Sequence, residues 1–417
     1  MKKYNQNLLW ISITTLALTA CGGSSSSSDD TTEAEEHDHE FSILVAQDNT
    51  SSLSLLEEGE LEVLDDAAAG NGATIVLGET GAYAAVLANT TVNFVHGLHD
   101  EEEETDEEHE EEAHVLDFSL DGSKVITTNG HFAVLDAGTT TFIEYDELEN
   151  DTPATEDTSA LSLTETYPAL VIDEEHELQM VFAGGTAAFY KDGLAVAGAS
   201  FACATPSSHG QTDELVVVYC GTEALAVVIE EDEATEEHTF TNSTPALDGN
   251  ASNYIWRAEG HVIVGFEPGT SNYAIVELDE SGVTPSVVVV EGSDAGTVEI
   301  ERTICDIKLD SEEQDVFVLG AGDTANAGDK LIVLSHEGEL LQNVTLNELT
   351  DTTCDDLVMT SASSNALVVN NSVQKAYDID AHDSDNYHVH SEYDLLVDDI
   401  ADVVIFHEKD EDADHDH

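Results

Sequence analysis

Histidine is the residue type through which this sequence could do chemistry. The chain has 18 histidines among 417 residues, and many fall in clusters within acidic sequence. The first cluster is His37-Asp38-His39. The second opens as His96-Gly97-Leu98-His99 and runs through His109 to His114 across a carboxylate block. The third joins His388-Val389-His390 to the tail histidines His407, His415 and His417. Neutral imidazole beside carboxylate suits Zn(II) and its borderline neighbours. In extended chain, a His-x-His pair projects both rings to one face, where they can chelate. Polar His-rich tracts hold metal by composition, weakly and with fast exchange. Since metal binds the neutral ring, uptake should weaken as pH falls through the histidine range. The isolated His176, His238, His261 and His336 read as surface or strand residues. Ca(II) is the other cation the carboxylates suit, best at Asp380, Asp383 and Asp385. That stretch lacks the glycine and terminal glutamate of a calcium loop.

No catalytic signature accompanies these groups, and the chain reads as a non-enzyme. His109-Glu-Glu-Glu-Ala-His114 resembles the zinc-protease pattern but carries one residue too many. At that spacing the rings would not share a helix face, and the surroundings are not helical. There is no nucleophile-elbow serine motif, phosphate loop or dinucleotide fingerprint.

Five cysteines are present. With Cys21 set aside, Cys203, Cys220, Cys305 and Cys354 allow three pairings. Cys203–Cys220 with Cys305–Cys354 closes the shortest loop and is favoured. Four free thiols or a metal site are the alternatives, although a zinc site of four cysteines normally uses short C-x-x-C spacings.

The elements that must position these groups read as β throughout. Runs of Val, Ile, Leu, Ala, Phe and Tyr alternate with Gly, Asp, Asn and Thr clusters. Strand pairs begin near Phe41, Ala82, Lys124, Leu178, Glu214, Tyr254, Asp315 and Asn365. Their spacing of about 45 residues is that of propeller blades. The expectation is all-β: a single β-propeller of eight blades over residues 41–408, with seven as the alternative count. Two β-sandwiches are the runner-up, disfavoured because no Pro/Ser-rich linker divides the chain. An acidic His-containing insertion spans about 97–113, and an acidic His-containing tail spans 409–417. Ring closure would pair Phe41-Ser-Ile-Leu-Val with Val403-Val-Ile-Phe406, bringing the flanking histidine segments together.

The first twenty residues read as a lipoprotein signal peptide. Lys2 and Lys3 precede a short apolar run that ends Leu18-Thr19-Ala20-Cys21. That tetrad resembles a lipobox, so Cys21 would carry lipid, with residues 21–40 as a Ser/acidic/His tether. Several acyl chains anchor stably. The expected place is the periplasm, on a membrane. The outer membrane is favoured, since Gly22 stands where an aspartate would mark inner-membrane retention. Aspartate and glutamate number 89 against 10 lysines and arginines, a formal charge of −79. Nucleic acid is thereby excluded, because phosphate binding needs the opposite sign.

The order of features resembles the AztD-type zinc metallochaperones, periplasmic β-propellers that pass Zn(II) to the solute-binding protein of an ABC importer. The residues that carry the resemblance are the His-x-His leader, the His/Glu-rich insertion after the second blade, and Cys203-Ala-Thr-Pro-Ser-Ser-His209-Gly210 followed by Cys220-Gly221. It implies a Cys203–Cys220 disulfide, and His209 facing the central opening as a zinc ligand, with His114 starting a strand near the same mouth. It also implies an importer's solute-binding protein as partner. One departure is plain: a His-His-Gly element expected upstream is replaced by Thr166-Tyr167-Pro168-Ala169.

Two functional readings follow. In the first, an envelope-anchored propeller collects Zn(II) through His37, His39, His96, His99, His109 and His114, and holds it near His114 and His209. The alternative is a protein–protein scaffold whose acidic surface is adapted to salt.

Overall fold

Alternating apolar residues with Gly, Asn and Asp at the turns give thirty-two strands, β1–β32 in chain order. Among the described residues, helix is confined to three short 3-10 turns. The computed structural model describes residues 42–406, except 48–52, 58–59, 66–72, 98–112, 151, 174–176, 233–236, 248–252, 280–285, 293–299, 311–314, 324–325, 349–351, 363–364, 382–386 and 396–399. Cys21, His37, His39, His99, His109, Asp383, Asp385 and the tail histidines therefore lie outside the described residues.

The strands form eight four-stranded antiparallel sheets, the blades of an eight-bladed β-propeller. Seven blades are built from consecutive strands. The remaining one joins the two ends of the chain: β32 (Ile400–Phe406) pairs with β1 (Ser42–Gln47), which is followed by β2 (Leu53–Glu57) and β3 (Glu60–Asp65). Ser42 lies opposite Phe406, as ring closure requires. The eight expected starts all find a strand, one in each blade. Ala82, for example, precedes β5 (Tyr83–Ala88), and Asn365 begins β29 (Asn365–Asn370).

Core packing lies between blades. Central strands are buried on both faces and read as unbroken apolar runs, such as β17 (Leu215–Tyr219), LVVVY, and β25 (Val316–Ala321), VFVLGA. Each such side chain contributes about 1.5–3 kcal/mol by leaving water. Gly265 is required where Trp256 lies flat against the neighbouring strand, since a Cβ there would come within 2.3 Å of the indole.

The first strand of each blade lines the centre, and successive ones pack side by side: β32, β4 (Thr74–Leu77), β8 (Lys124–Thr128), β12 (Glu165–Asp173), β16 (Ser208–Gln211), β20 (Ile255–Glu259), β24 (Thr303–Leu309) and β28 (Leu357–Ala362). Side chains tie them together. Asp402 accepts from Ile75 N at 2.8 Å, Gln211 donates to Val171 O at 2.6 Å, and Ser361 donates to Leu309 O at 2.8 Å.

Both favoured disulfides form, Cys203–Cys220 and Cys305–Cys354. Paired cysteines belong to an oxidising compartment, so the protein is extracytoplasmic. No described helix is long and apolar enough to cross a membrane.

The acidic insertion sits inside the second blade rather than after it. It joins β6 (Thr91–His96) to β7 (His114–Asp121), so His114 begins the outermost strand of that blade.

Candidate metal centre

The best-formed donor set lies on the hairpin of β30 (Lys375–Ala381) and β31 (Tyr387–Asp394). β30 is buried on both faces, Ala376 on one and Tyr377 and Ile379 on the other. β31 is the outer strand and faces water. Its His-x-His pair takes one side of the strand, and the register sets Asp380 directly opposite His388. One oxygen or nitrogen from each of Asp380, His388 and His390 falls within a 4.8 Å group. The Nδ1 of His390 lies 3.4 Å from Asp380 Oδ2, and that of His388 lies 3.9 Å from Oδ1. Tetrahedral zinc with bonds of 2.0–2.1 Å separates its ligands by about 3.3 Å. The two spacings run to different oxygens of Asp380: the shorter is close to that ligand separation and the longer exceeds it. The Asp380 side chain is 18% exposed and the two rings 44% and 47%. Both rings are therefore reachable from solvent.

A second group joins Asp173 with Glu231 and His238, the latter two facing each other across β18 (Ala224–Asp232) and β19 (Glu237–Ser243). Here Nε2 of His238 is 3.0 Å from Asp173 Oδ2. That is hydrogen-bond length, so this pair is a direct imidazole–carboxylate hydrogen bond. The histidine side chain is 5% exposed, so of the two places expected for His238, surface or strand, it takes the strand, as a packed, carboxylate-bound ring.

Among the residues expected to bind metal, His96 and His114 are brought together. They oppose each other across β6 and β7, with ring centroids 5.6 Å apart, and Tyr83 stacks on His96 at 4.6 Å.

His209 is a correction. It sits on innermost strand β16, whereas His114 begins an outermost strand of a different blade, so the expected His114–His209 pair is not formed. Both nitrogens of His209 are engaged: Nε2 lies 3.3 Å from Thr127 O, and Nδ1 lies 3.0 Å from the Tyr167 hydroxyl. Tyr167 lies in Thr166-Tyr167-Pro168-Ala169, the stretch where the sequence departs from the expected His-His-Gly element. Burial pushes the ring's pKa down to about 4, and the nearby charges of Lys124 and Arg257 push the same way. The carbonyl requires Nε2 to carry the proton, so Tyr167 donates to Nδ1. This ring is satisfied and sits beside two cations, which disfavours a third.

Alternation of direction fixes where the hairpins open. First strands all run the same way, so hairpins between third and fourth strands share the face at which first strands end. The β6–β7, β18–β19 and β30–β31 hairpins are therefore on one face. Phe406 at the end of β32 and Ser42 at the start of β1 lie on it too. Phe406 also packs on the base of the insertion, since a Cβ at Gly97 would meet its ring at 2.5 Å. The points from which the leader, the insertion and the tail depart are thus adjacent.

This is an extracytoplasmic eight-bladed propeller with histidine–carboxylate groups on one face. Apo AztD from Citrobacter koseri is similar to it, with a TM-score of 0.65 and 12% identity over 88% of this chain and 98% of that one. A second Citrobacter koseri AztD structure gives 0.63 and 14%, covering 88% and 97%. What is shared at this identity is the fold. A structure described as a putative 6-phosphogluconolactonase from Bacteroides uniformis aligns at 0.44 with 11% identity, covering 88% and 99%; so distant a likeness carries no functional argument. No protein-family model matches the sequence, and no curated protein matches it.

Proposed function

We propose that this protein captures Zn(II) at the cell envelope and holds it for transfer, with Asp380, His388 and His390 as its formed site. The observation that carries the reading is the gathering of those three donors within 4.8 Å of one another on one exposed hairpin. Two neutral imidazoles and one carboxylate leave the bound ion one positive charge and an open position, a set suited to exchange. His96 and His114, with His37, His39, His99 and His109, act as weaker collecting ligands. Carboxylates around them raise the local cation concentration. Zinc is cargo in this reading, and no reaction is catalysed.

The resemblance to AztD supports zinc over calcium, as does imidazole in the donor set. A lipid on Cys21 would fix the protein to a membrane, the outer one by the residue at position 22. A tethered protein suits a reservoir that loads the solute-binding protein of an importer on encounter. Zinc titration of the soluble chain against a chelator tests the reading. A site lost in Asp380→Asn and in His388→Ala/His390→Ala supports it. The scaffold alternative expects no saturable zinc binding in the unmutated chain.

A further inference from the structure

The group of Asp173, Glu231 and His238 is built from two blades. Asp173 ends β12, the innermost strand of one blade. Glu231 and His238 face each other across β18 and β19, the two outer strands of the next. One donor atom from each of the three falls within a 4.8 Å group. The His238 ring is fixed by packing. Its side chain is 5% exposed. It stacks on Phe240, two residues along the same side of β19, with ring centroids 6.4 Å apart and an interplanar angle of 20°. Phe240 packs in turn on Phe189 at 4.2 Å, on β14 (Thr186–Lys191) of the blade that supplies Asp173. An apolar shell of this kind orients a ligating ring and limits the water around it. Asp173 is 19% exposed and Glu231 is exposed, so the group meets solvent on its carboxylate side.

Spacing and donor type select the ion. Nε2 of His238 lies 3.0 Å from Asp173 Oδ2. A carboxylate only accepts, so Nε2 carries the proton and donates it. An octahedral ion with bonds of about 2.1 Å separates neighbouring ligands by about 3.0 Å. A cation can therefore take the place of that proton without driving the two groups apart. Two carboxylates neutralise a divalent charge, which favours it beside a buried ring. The β30–β31 hairpin differs, with two imidazoles and one carboxylate. Oxygen-rich sets suit Mg(II), Ca(II) and Mn(II), and imidazole disfavours the first two. Mn(II) accepts both donor types.

We propose that Asp173, Glu231 and His238 form a second divalent-cation site, of Mn(II) type, with water as the remaining ligands. Entry of the ion releases the Nε2 proton to solvent. No donor is shared with Asp380, His388 and His390, so this site is tested separately from the zinc reading. Zn(II) is held better at the hairpin, which offers it two nitrogens.

The test counts free Mn(II) by electron paramagnetic resonance as the soluble chain is titrated at moderate salt, which suppresses weak binding to scattered surface carboxylates. One equivalent with a Kd of about 10 μM or tighter is expected, distinct from the weaker, multiple binding. Glu231→Gln, at an exposed position, and His238→Gln should each weaken it by about tenfold or more. His388→Ala/His390→Ala should leave it in place. If His238→Gln fails to fold, the unmutated protein supplies a second readout. Bound Mn(II) broadens nearby proton signals, and those of the His238 ring should disappear at substoichiometric ion, before those of His388 and His390. Four results would each overturn the proposal and leave only an imidazole–carboxylate hydrogen bond. They are no equivalent tighter than the multiple binding, unchanged binding in Glu231→Gln, loss of the equivalent in the hairpin variant, and earlier broadening of His388 and His390.

Discussion

The β30–β31 hairpin and the inner-wall knot around His209 both place histidine beside groups that control its chemistry, and they differ in every one of those groups. On the hairpin, two half-exposed rings flank a carboxylate at 3.4 and 3.9 Å. On the inner wall, one ring is bonded through both nitrogens and faces Lys124 and Arg257. The first arrangement gathers imidazole and carboxylate donors that together suit a cation. In the second, lone pair and proton are both spent on the fold. Being a histidine near a central opening is therefore weaker grounds for a ligand than the sign of the nearest charge.

The largest expected contrast is in zinc affinity. His388→Ala/His390→Ala removes two donors. Loss of mere supporting residues around a metal costs 10–100-fold, so the double variant should lose on the order of 100-fold or more. His209→Ala should leave zinc affinity within about twofold and instead lower stability, measured by denaturant unfolding. A comparable loss of zinc affinity in His209→Ala would erase the distinction.

Acid sharpens it next. The folded His209 ring has a pKa of about 4, below its ordinary value near 6.5. The unfolded chain thus binds the extra proton first as pH falls. The ring's contribution is full above pH 6.5 and is lost as pH drops toward 4. Allowing for partial exposure, it is on the order of 2 kcal/mol. The stability gap between the unmutated protein and His209→Gln should narrow over that window, and the ring signal should titrate below pH 5 by NMR. A midpoint above 6 would contradict the burial argument.

Smaller again is Tyr167→Phe, which deletes the hydroxyl donated to His209 Nδ1. It should cost about 1 kcal/mol in stability and leave zinc binding at the hairpin untouched. Smallest is removal of residues 98–112. Only weak, multiple zinc binding should fall, seen as fewer low-affinity equivalents. Loss of the tight site in that deletion would mean the hairpin does not hold it alone.

The sequence carried the fold further than the site. Buried central strands are legible because both faces pack, giving runs such as LVVVY at β17. Outer strands are not: β31 reads YHVHSEYD, since one edge and much of both faces meet water. Missing β31 as a strand hid the centre. His388 and His390 stand out as His-x-His, and Asp380 as an acidic loop residue suited to calcium. Only the hairpin register joins them. The partners of His209 come from β12 and β8, some 40 to 80 residues earlier and on other blades, where no local pattern can point to them. Thr166-Tyr167-Pro168-Ala169, standing where the resemblance led one to expect His-His-Gly, was the one available signal, and its Tyr167 caps the ring. Pairing of the cysteines was legible from loop length alone.

The most direct test is a competitive zinc titration of the soluble chain at neutral pH and moderate salt, run beside Asp380→Asn, His388→Ala/His390→Ala and His209→Ala. One tight equivalent is expected, retained in His209→Ala and lost in the two hairpin variants. A tight equivalent that survives both hairpin variants, or no tight equivalent in the unmutated chain, would contradict zinc holding at Asp380, His388 and His390.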